Sequence, residues 1–258
     1  MIDAEALLVQ LPDWAFGLVL VFSRIGAACI LLPGIGEVEL PGMVRAGFTL
    51  ALSILLLPVL APLLPGMPLS GWVIFAKVTA EIVTGLWLGW LTRLLVQALP
   101  VAGQFAASMV GLASVLQPDP GLGPQTTALS RMFAMAAPVA LFASGLYALP
   151  LVALAGSYHL VAPGELLPAM DGAPGAVAAV GEAFALALRL AAPFVAAGLV
   201  WQGGLGLLAR LVPALQVFAA AMPGQILGGL LLLMLLAGGM LAAWQDALRT
   251  ALTELPGL

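Results

Sequence analysis

Six long apolar runs, separated by short stretches rich in proline, glycine and charge, set out the plan of this chain. The first runs from about Trp14 to Leu32 and closes at PGIGEVELPG, where two Pro-Gly pairs bracket an acidic turn. Both residues oppose helix continuation, so each pair is a break signal. The second extends from Met43 to about Leu64 and ends at PGMPLSG. The third starts at Trp72, is clean to about Leu95, and continues less regularly through Pro100 and Gly103 to Leu116. The fourth spans Ala128 to about Gly156 and is followed by SYHLVAPGELLPAMDGAPG, the longest polar connection. The fifth covers Ala176 to about Leu208, with Pro193 as an internal break, and the sixth covers Ile226 to Trp244 before the tail QDALRTALTELPGL.

Apolar runs of about 18 residues or more are long enough to cross a bilayer as helices. Lipid offers the backbone no hydrogen-bond partners, so such runs must satisfy their own amides. A membrane β-barrel would alternate with period two, and ILGGLLLLMLLAGGMLAAW does not. The pattern predicts an all-α membrane protein with six to seven long apolar helices in a single domain, residues 1–258. No linker is long or polar enough to divide it. Trp14, Trp72 and Trp244 stand at run ends, where amphipathic rings suit the headgroup region. The spacings Gly85/Gly89 and Gly224/Gly228 would let helices approach closely. The opening MIDAEALLVQLPDW is acidic where a cleaved signal would be basic, so the first span is expected to be retained.

Composition strengthens the membrane reading. Hydrophobic residues make up 63% of the chain and charged residues 8%, against about a quarter in soluble domains. The net charge of -4 offers no basic surface, so nucleic acid is not an expected partner. Cys29, the single cysteine, is expected to pack as a small hydrophobe within the first run. His159, beside Tyr158 in the long connection, has no second His, Cys or acidic cluster at metal-ligand spacing. GIGEVE lacks the third glycine and strand context of a dinucleotide loop, and no Gly-x-Ser-x-Gly elbow is present. The expectation is a protein that is not an enzyme and uses no cofactor or metal.

Charges inside the apolar runs are the exception. Arg24, Lys77, Glu81, Arg93, Glu182 and Arg189 all fall within or at the edges of them. An isolated charge at the bilayer centre costs roughly 3 kcal/mol, so each needs a partner, an aqueous path or a position outside the hydrocarbon. Lys77 and Glu81 are four apart and share a helix face, so they can pair locally, although Glu before Lys is the better order. Glu182 and Arg189 are seven apart on one face and could reach charges on neighbouring helices. Three roles are open to these charges: pairs that fix helix register, a proton or ion relay as in a secondary transporter, and subunit contacts. Arginine keeps its proton, which disfavours the relay.

The stretch VGLASVLQPDPGLGPQTTALSRM, Val110 to Met132, cannot be a lipid-facing helix. Pro118 and Pro120 remove donors and fix φ, while Gly121 and Gly123 open conformations closed to other residues. Gln117, Asp119, Gln125, Thr126 and Thr127 make it wettable. Irregular backbone at membrane depth is tolerated only where protein or water surrounds it.

Three blocks in order resemble the FliR family of flagellar biosynthesis proteins, and more distantly the T-type export components of virulence injectisomes. They are FSRIGAACILLPGIGEVELPGMVRAGFTLALSILLLP, GLASVLQPDPGLGPQTTALSRMFAMAAPVALF and RLAAPFVAAGLVWQGGLGLLARLVPALQVFAAAMPGQILGGLLLLML. The resemblance implies a pore-forming export-gate subunit of the flagellar type III apparatus in the bacterial inner membrane, at the flagellar basal body. FliP-like and FliQ-like subunits in one complex, and FlhB-like and FlhA-like export proteins, are its implied partners. Unfolded flagellar proteins are the implied cargo. It also implies helical hairpins within a helical assembly, with residues 1–130 as a P-like half and 131–258 as a Q-like half. The loop matching Gly111, Gln117, Pro118, Asp119, Pro120, Gly121, Gly123 and Gln125 is implied to plug the closed pore. Arg24, Arg45, Lys77, Glu81, Glu182 and Arg189 are then expected to serve assembly or intersubunit pairing. QPDPGLGPQ is richer in proline than the family pattern and implies a stiffer plug.

Overall fold

A computed structural model describes residues 4–111, 127–166, 169–211, 217–255 and 257. The described residues form seven α-helices and one 3-10 turn, with no strand. The helices are α1 (Ala4–Leu31), α2 (Gly42–Leu60), α3 (Gly71–Val110), α4 (Ala128–Ala143), α5 (Ala148–Leu160), α6 (Ala169–Leu211) and α7 (Val217–Thr253), with the 3-10 turn Ala61–Leu63 after α2. Among the described residues five helices are long and apolar enough to cross a membrane, or six spans if α4 and α5 together make one. The all-α membrane class is therefore the observed one.

The helices depart from the apolar runs in four places. The fourth run is two helices, α4 and α5, bent by 73° at a short break. Gly145 sits in that break at φ 74°, a left-handed conformation that ends α4 and costs other residues energy. The stretch remains apolar through the bend, so hydropathy alone passes over it. The long connection proves short, because Ser157–Leu160 belongs to α5, with His159 in its last turn, and α6 begins at Ala169. Pro193 does not interrupt α6, which is helical from Ala169 to Leu211. Finally, α7 continues to Thr253, and Trp244 lies inside it, fully buried. Trp244, Leu248 and Leu252 recur every fourth residue and are all buried, a stripe that outlasts the purely apolar run. Trp244 is therefore a core residue, whereas Trp14 and Trp72 are exposed, Trp72 at the start of α3 and Trp14 well inside α1.

Contacts divide the chain into two units. One comprises Met1–Leu94, Phe142–Ala179 and Thr250–Leu258. Its core joins Val21, Ile25, Ala28 and Cys29 of α1 to Leu60 of α2, Leu88 of α3, and Leu154 and Tyr158 of α5. Here α1 and α3 are pressed together at Gly85 and Gly89. A Cβ at Gly89 would lie 2.7 Å from the Ala28 carbonyl oxygen, and one at Gly85 would run into the Arg24 carbonyl. The Gly85/Gly89 spacing thus marks a close approach, as the small-residue pattern suggests.

The other unit comprises Leu95–Leu141 and Val180–Arg249. Phe105 of α3 meets Phe184 of α6 edge to face, with ring centroids 6.0 Å apart. A Cβ at Gly228 would meet nothing within 4 Å, and one at Gly224 would only touch the Trp201 ring at 3.4 Å. Gly229 is instead the residue pressed against Val110 of α3. The Gly224/Gly228 spacing is therefore not a tight contact within the chain. Much of the apolar surface of α2 and α7 stays open, including Ile54, Leu55, Leu231, Met234 and Leu235. Contiguous apolar surface of this kind marks contact with lipid or other subunits.

Candidate functional site

Both ends of the polar interruption are held by side chains in the second unit. α3 stops at Val110, and Gly111 follows with φ 81°. Glycine at this position lets the chain turn out of a helix without a Cβ clash. The Gln225 side chain of α7 donates from Nε2 to the Met109 carbonyl at 2.8 Å. That carbonyl is one of the last four of α3, which have no intrahelical donor. At the far end Thr127 precedes α4, and its Oγ1 accepts from the Ser130 N–H at 3.2 Å, an N-cap. Gln104 of α3 accepts from both the Thr127 N–H and its hydroxyl, each at 3.1 Å. The Ser130 hydroxyl donates to the Pro100 carbonyl at 2.9 Å. Thr127 is accordingly buried and spent on capping, where wetting of the loop was expected. Gln117, Pro118, Asp119, Pro120, Gly121, Gly123 and Gln125 lie outside the described residues.

The first unit holds a fully buried ion pair. Arg24 of α1 donates through Nε to Glu81 Oε2 of α3 at 2.7 Å, and through Nη2 to Oε1 at 3.0 Å. Nη1 donates to the Ser157 hydroxyl at 3.2 Å, and Nη2 also to the Val161 carbonyl at 3.1 Å. The Tyr158 ring stacks on the guanidinium, 4.0 Å from its carbon to the centroid. Glu81 Oε1 further accepts from the Gly164 N–H at 2.5 Å. Forked geometry and added hydrogen bonds are what let a buried pair withstand its desolvation cost. One network thereby ties α1, α3, α5 and the turn after α5. The local Lys77–Glu81 pair that the spacing allows does not form. Lys77 is half-buried with its chain across Gly164, since a guanidinium offers Glu81 two parallel bonds that an ammonium cannot.

Arg45 closes the turn between α1 and α2. It donates from Nε to the Ile35 carbonyl at 3.1 Å and from Nη2 to the Glu37 carbonyl at 2.8 Å. Arg93 of α3 reaches Glu37 at 3.6 Å and the Leu31 carbonyl at 3.4 Å. The acidic turn bracketed by the two Pro-Gly pairs is thus stitched to the helices on either side. Glu182 and Arg189 differ from all of these. Both are exposed on α6, about 10 Å apart along its axis at 1.5 Å per residue.

Gln104, Ser130, Gln225, Ser157 and Tyr158 carry these arrangements and were not among the residues singled out in the sequence. The signal for them was present. Gln104 and Gln225 are amides in largely apolar helices, and a polar group there must find a partner. Which partner depends on contacts 23 and 116 residues away along the chain.

Comparison with known proteins places this arrangement. The family model for bacterial export proteins, family 1, matches residues 15–251. Flagellar biosynthetic protein FliR of Caulobacter vibrioides is 30% identical over 233 residues, covering 90% of this chain and 93% of that protein. FliR of Bacillus subtilis is 24% identical over 80% of each chain. Yop proteins translocation protein T of Yersinia pestis is 27% identical over 84% of this chain and 83% of its own. With the family match running from the first apolar span to the last, and with the clamped interruption and the Arg24–Glu81 pair inside it, the chain belongs to family 1 of the bacterial export proteins, the FliR family.

Proposed function

We propose that this chain is a pore-forming export-gate subunit of the flagellar type III secretion apparatus in the bacterial inner membrane, at the flagellar basal body. It assembles with FliP-like and FliQ-like subunits and works with FlhB-like and FlhA-like export proteins. Unfolded flagellar proteins pass through the pore, which residues 111–127 close between substrates. In this reading residues 1–130 are the P-like half and 131–258 the Q-like half. The observation that carries the proposal is the FliR likeness over nine-tenths of the chain, with 30% identity. The clamps at Met109 and Thr127 support it, since a closing segment needs fixed ends. An equivalent subunit of a virulence injectisome is the second reading, favoured by the 27% identity to the Yersinia protein. It differs in cargo and shares the gate.

A secondary transporter has less to draw on. Glu81 is held by an arginine, which does not release its proton, and Pro193 leaves α6 unbroken. Deleting Gly121 to Gln125 is expected to leave the complex assembled while small solutes leak across the membrane. A deletion strain that stays tight while export stops would make the segment structural. Glu182 and Arg189 stand exposed on an apolar helix, where charge calls for charges on a neighbouring subunit. Glu182→Gln is therefore expected to lower recovery of the co-purified complex without changing the isolated chain. Equal recovery would remove Glu182 from the interface. A lone, monodisperse chain that binds a small solute would favour the transporter.

A further inference from the structure

Within the first unit, a cleft of about 330 Å³ lies between the early turns of α1 and the connection from α2 to α3. Gln10, Asp13 and Trp14 of α1 wall it on one side and the turn Leu64–Gly66 on the other. Spacings of three and four residues put the three side chains on one face of α1. Gly17 continues that face, and a Cβ there would lie 2.7 Å from Leu64 Cδ1, so α1 is pressed onto the turn. Asp13 holds the turn as well, its Oδ1 accepting from the Met67 N–H at 2.7 Å. Its second oxygen has no protein partner among the described residues. No described Lys, Arg or His lines the cleft.

The walls favour positive charge. Ala61 and Leu64 bring the carbonyl end of α2 and its 3-10 turn to the cleft, where the helix dipole leaves partial negative charge. The Asp13 carboxylate adds a full charge, the Gln10 amide oxygen is a further acceptor, and the Trp14 ring, 42% exposed, has a face that attracts cations. Calcium and magnesium need several oxygen ligands, and one carboxylate with a bond already committed serves them poorly. A primary ammonium, with three donors around one charge, suits these walls. Position narrows its source. The first candidate span begins at Gln10, the second ends at Leu63 and the third begins at Gly71, so the cleft lies at the end these spans share, the level of lipid headgroups. Leu69, Trp72 and Phe75 stand exposed just after the turn, the two rings stacked with centroids 5.7 Å apart, as suits an interfacial surface. We propose that this cleft binds the ammonium of a phosphatidylethanolamine-type headgroup, with Asp13 and Gln10 accepting its hydrogens and Trp14 flanking the charge.

The whole chain in nanodiscs of mixed phosphatidylethanolamine and phosphatidylcholine provides the test. Choline keeps the charge and has no N–H to donate, so native mass spectrometry is expected to find the ethanolamine lipid retained over the choline lipid. Asp13→Asn should cut that preference about tenfold, the worth of one charge-assisted hydrogen bond. The asparagine oxygen can still accept from the Met67 N–H, so the thermal midpoint should not move. Trp14→Leu should lower retention about threefold through loss of the ring face. Equal retention of the two lipids, or a preference that survives Asp13→Asn, overturns the site. Free ethanolamine is expected to displace the lipid poorly, and displacement at matched concentration would overturn the headgroup in favour of a soluble amine. A carbodiimide crosslink from Asp13 to a lysine of a co-purified subunit would overturn it in favour of a protein amine.

Discussion

Glu81→Leu is expected to cost the folded chain about 3–5 kcal/mol, because it strands a buried guanidinium without its counter-charge. Arg24 is 0% exposed, and water cannot replace the two bonds it donates to Glu81. The remaining acceptors, the Ser157 hydroxyl and the Val161 carbonyl, are neutral and cannot balance the charge. The loss should appear as a lower thermal midpoint in detergent and as poor recovery of the protein from membranes. Replacing both partners, as Arg24→Met with Glu81→Leu, removes the uncompensated charge and should regain most of the stability. A double variant as unstable as Glu81→Leu alone would show that the network's worth lies in the other bonds. Two-way analysis of the cycle isolates the pair term, since the residues touch and their effects cannot add.

Gly85→Val is expected to be the next most damaging change. Its Cβ would collide with the Arg24 carbonyl, which is backbone and cannot rotate away. Overpacking of this kind costs about 1–3 kcal/mol, and the upper end applies where both sides are rigid helix. The effect also travels. Arg24 sits at the point of contact, so prising α1 from α3 disturbs the ion pair as well. Gly85→Val and Glu81→Leu should consequently be less than additive in thermal midpoint. Gly228→Ala is the contrasting case, with nothing within 4 Å to meet the new methyl. Alanine in a helix gains about 1 kcal/mol over glycine, so the isolated chain should be no less stable. Equal damage from the two substitutions would refute the close approach at Gly85.

Legibility in the sequence followed the range of the interactions. Whether a segment crosses a membrane depends on its own composition, and the first two spans agree closely with their apolar runs. The turn at Pro33–Gly42 was equally local, marked by its Pro-Gly pairs. The bend at Gly145 and the burial of Trp244 were not, since apolar residues continue through both. Charged residues were visible as anomalies while their partners were not. Glu81 lies one turn from Lys77 and 57 residues from Arg24, and the distant residue took it.

Class and family were thus determined by sequence alone, because hydropathy and residue order express local free energies and shared descent. The tertiary structure decided the pairings: Arg24 with Glu81, Gln104 with Thr127, Gln225 with Met109. Each joins helices far apart in the chain. In a medium without water, a buried polar group is satisfied by whichever neighbour the packing delivers, and packing is a property of the folded whole.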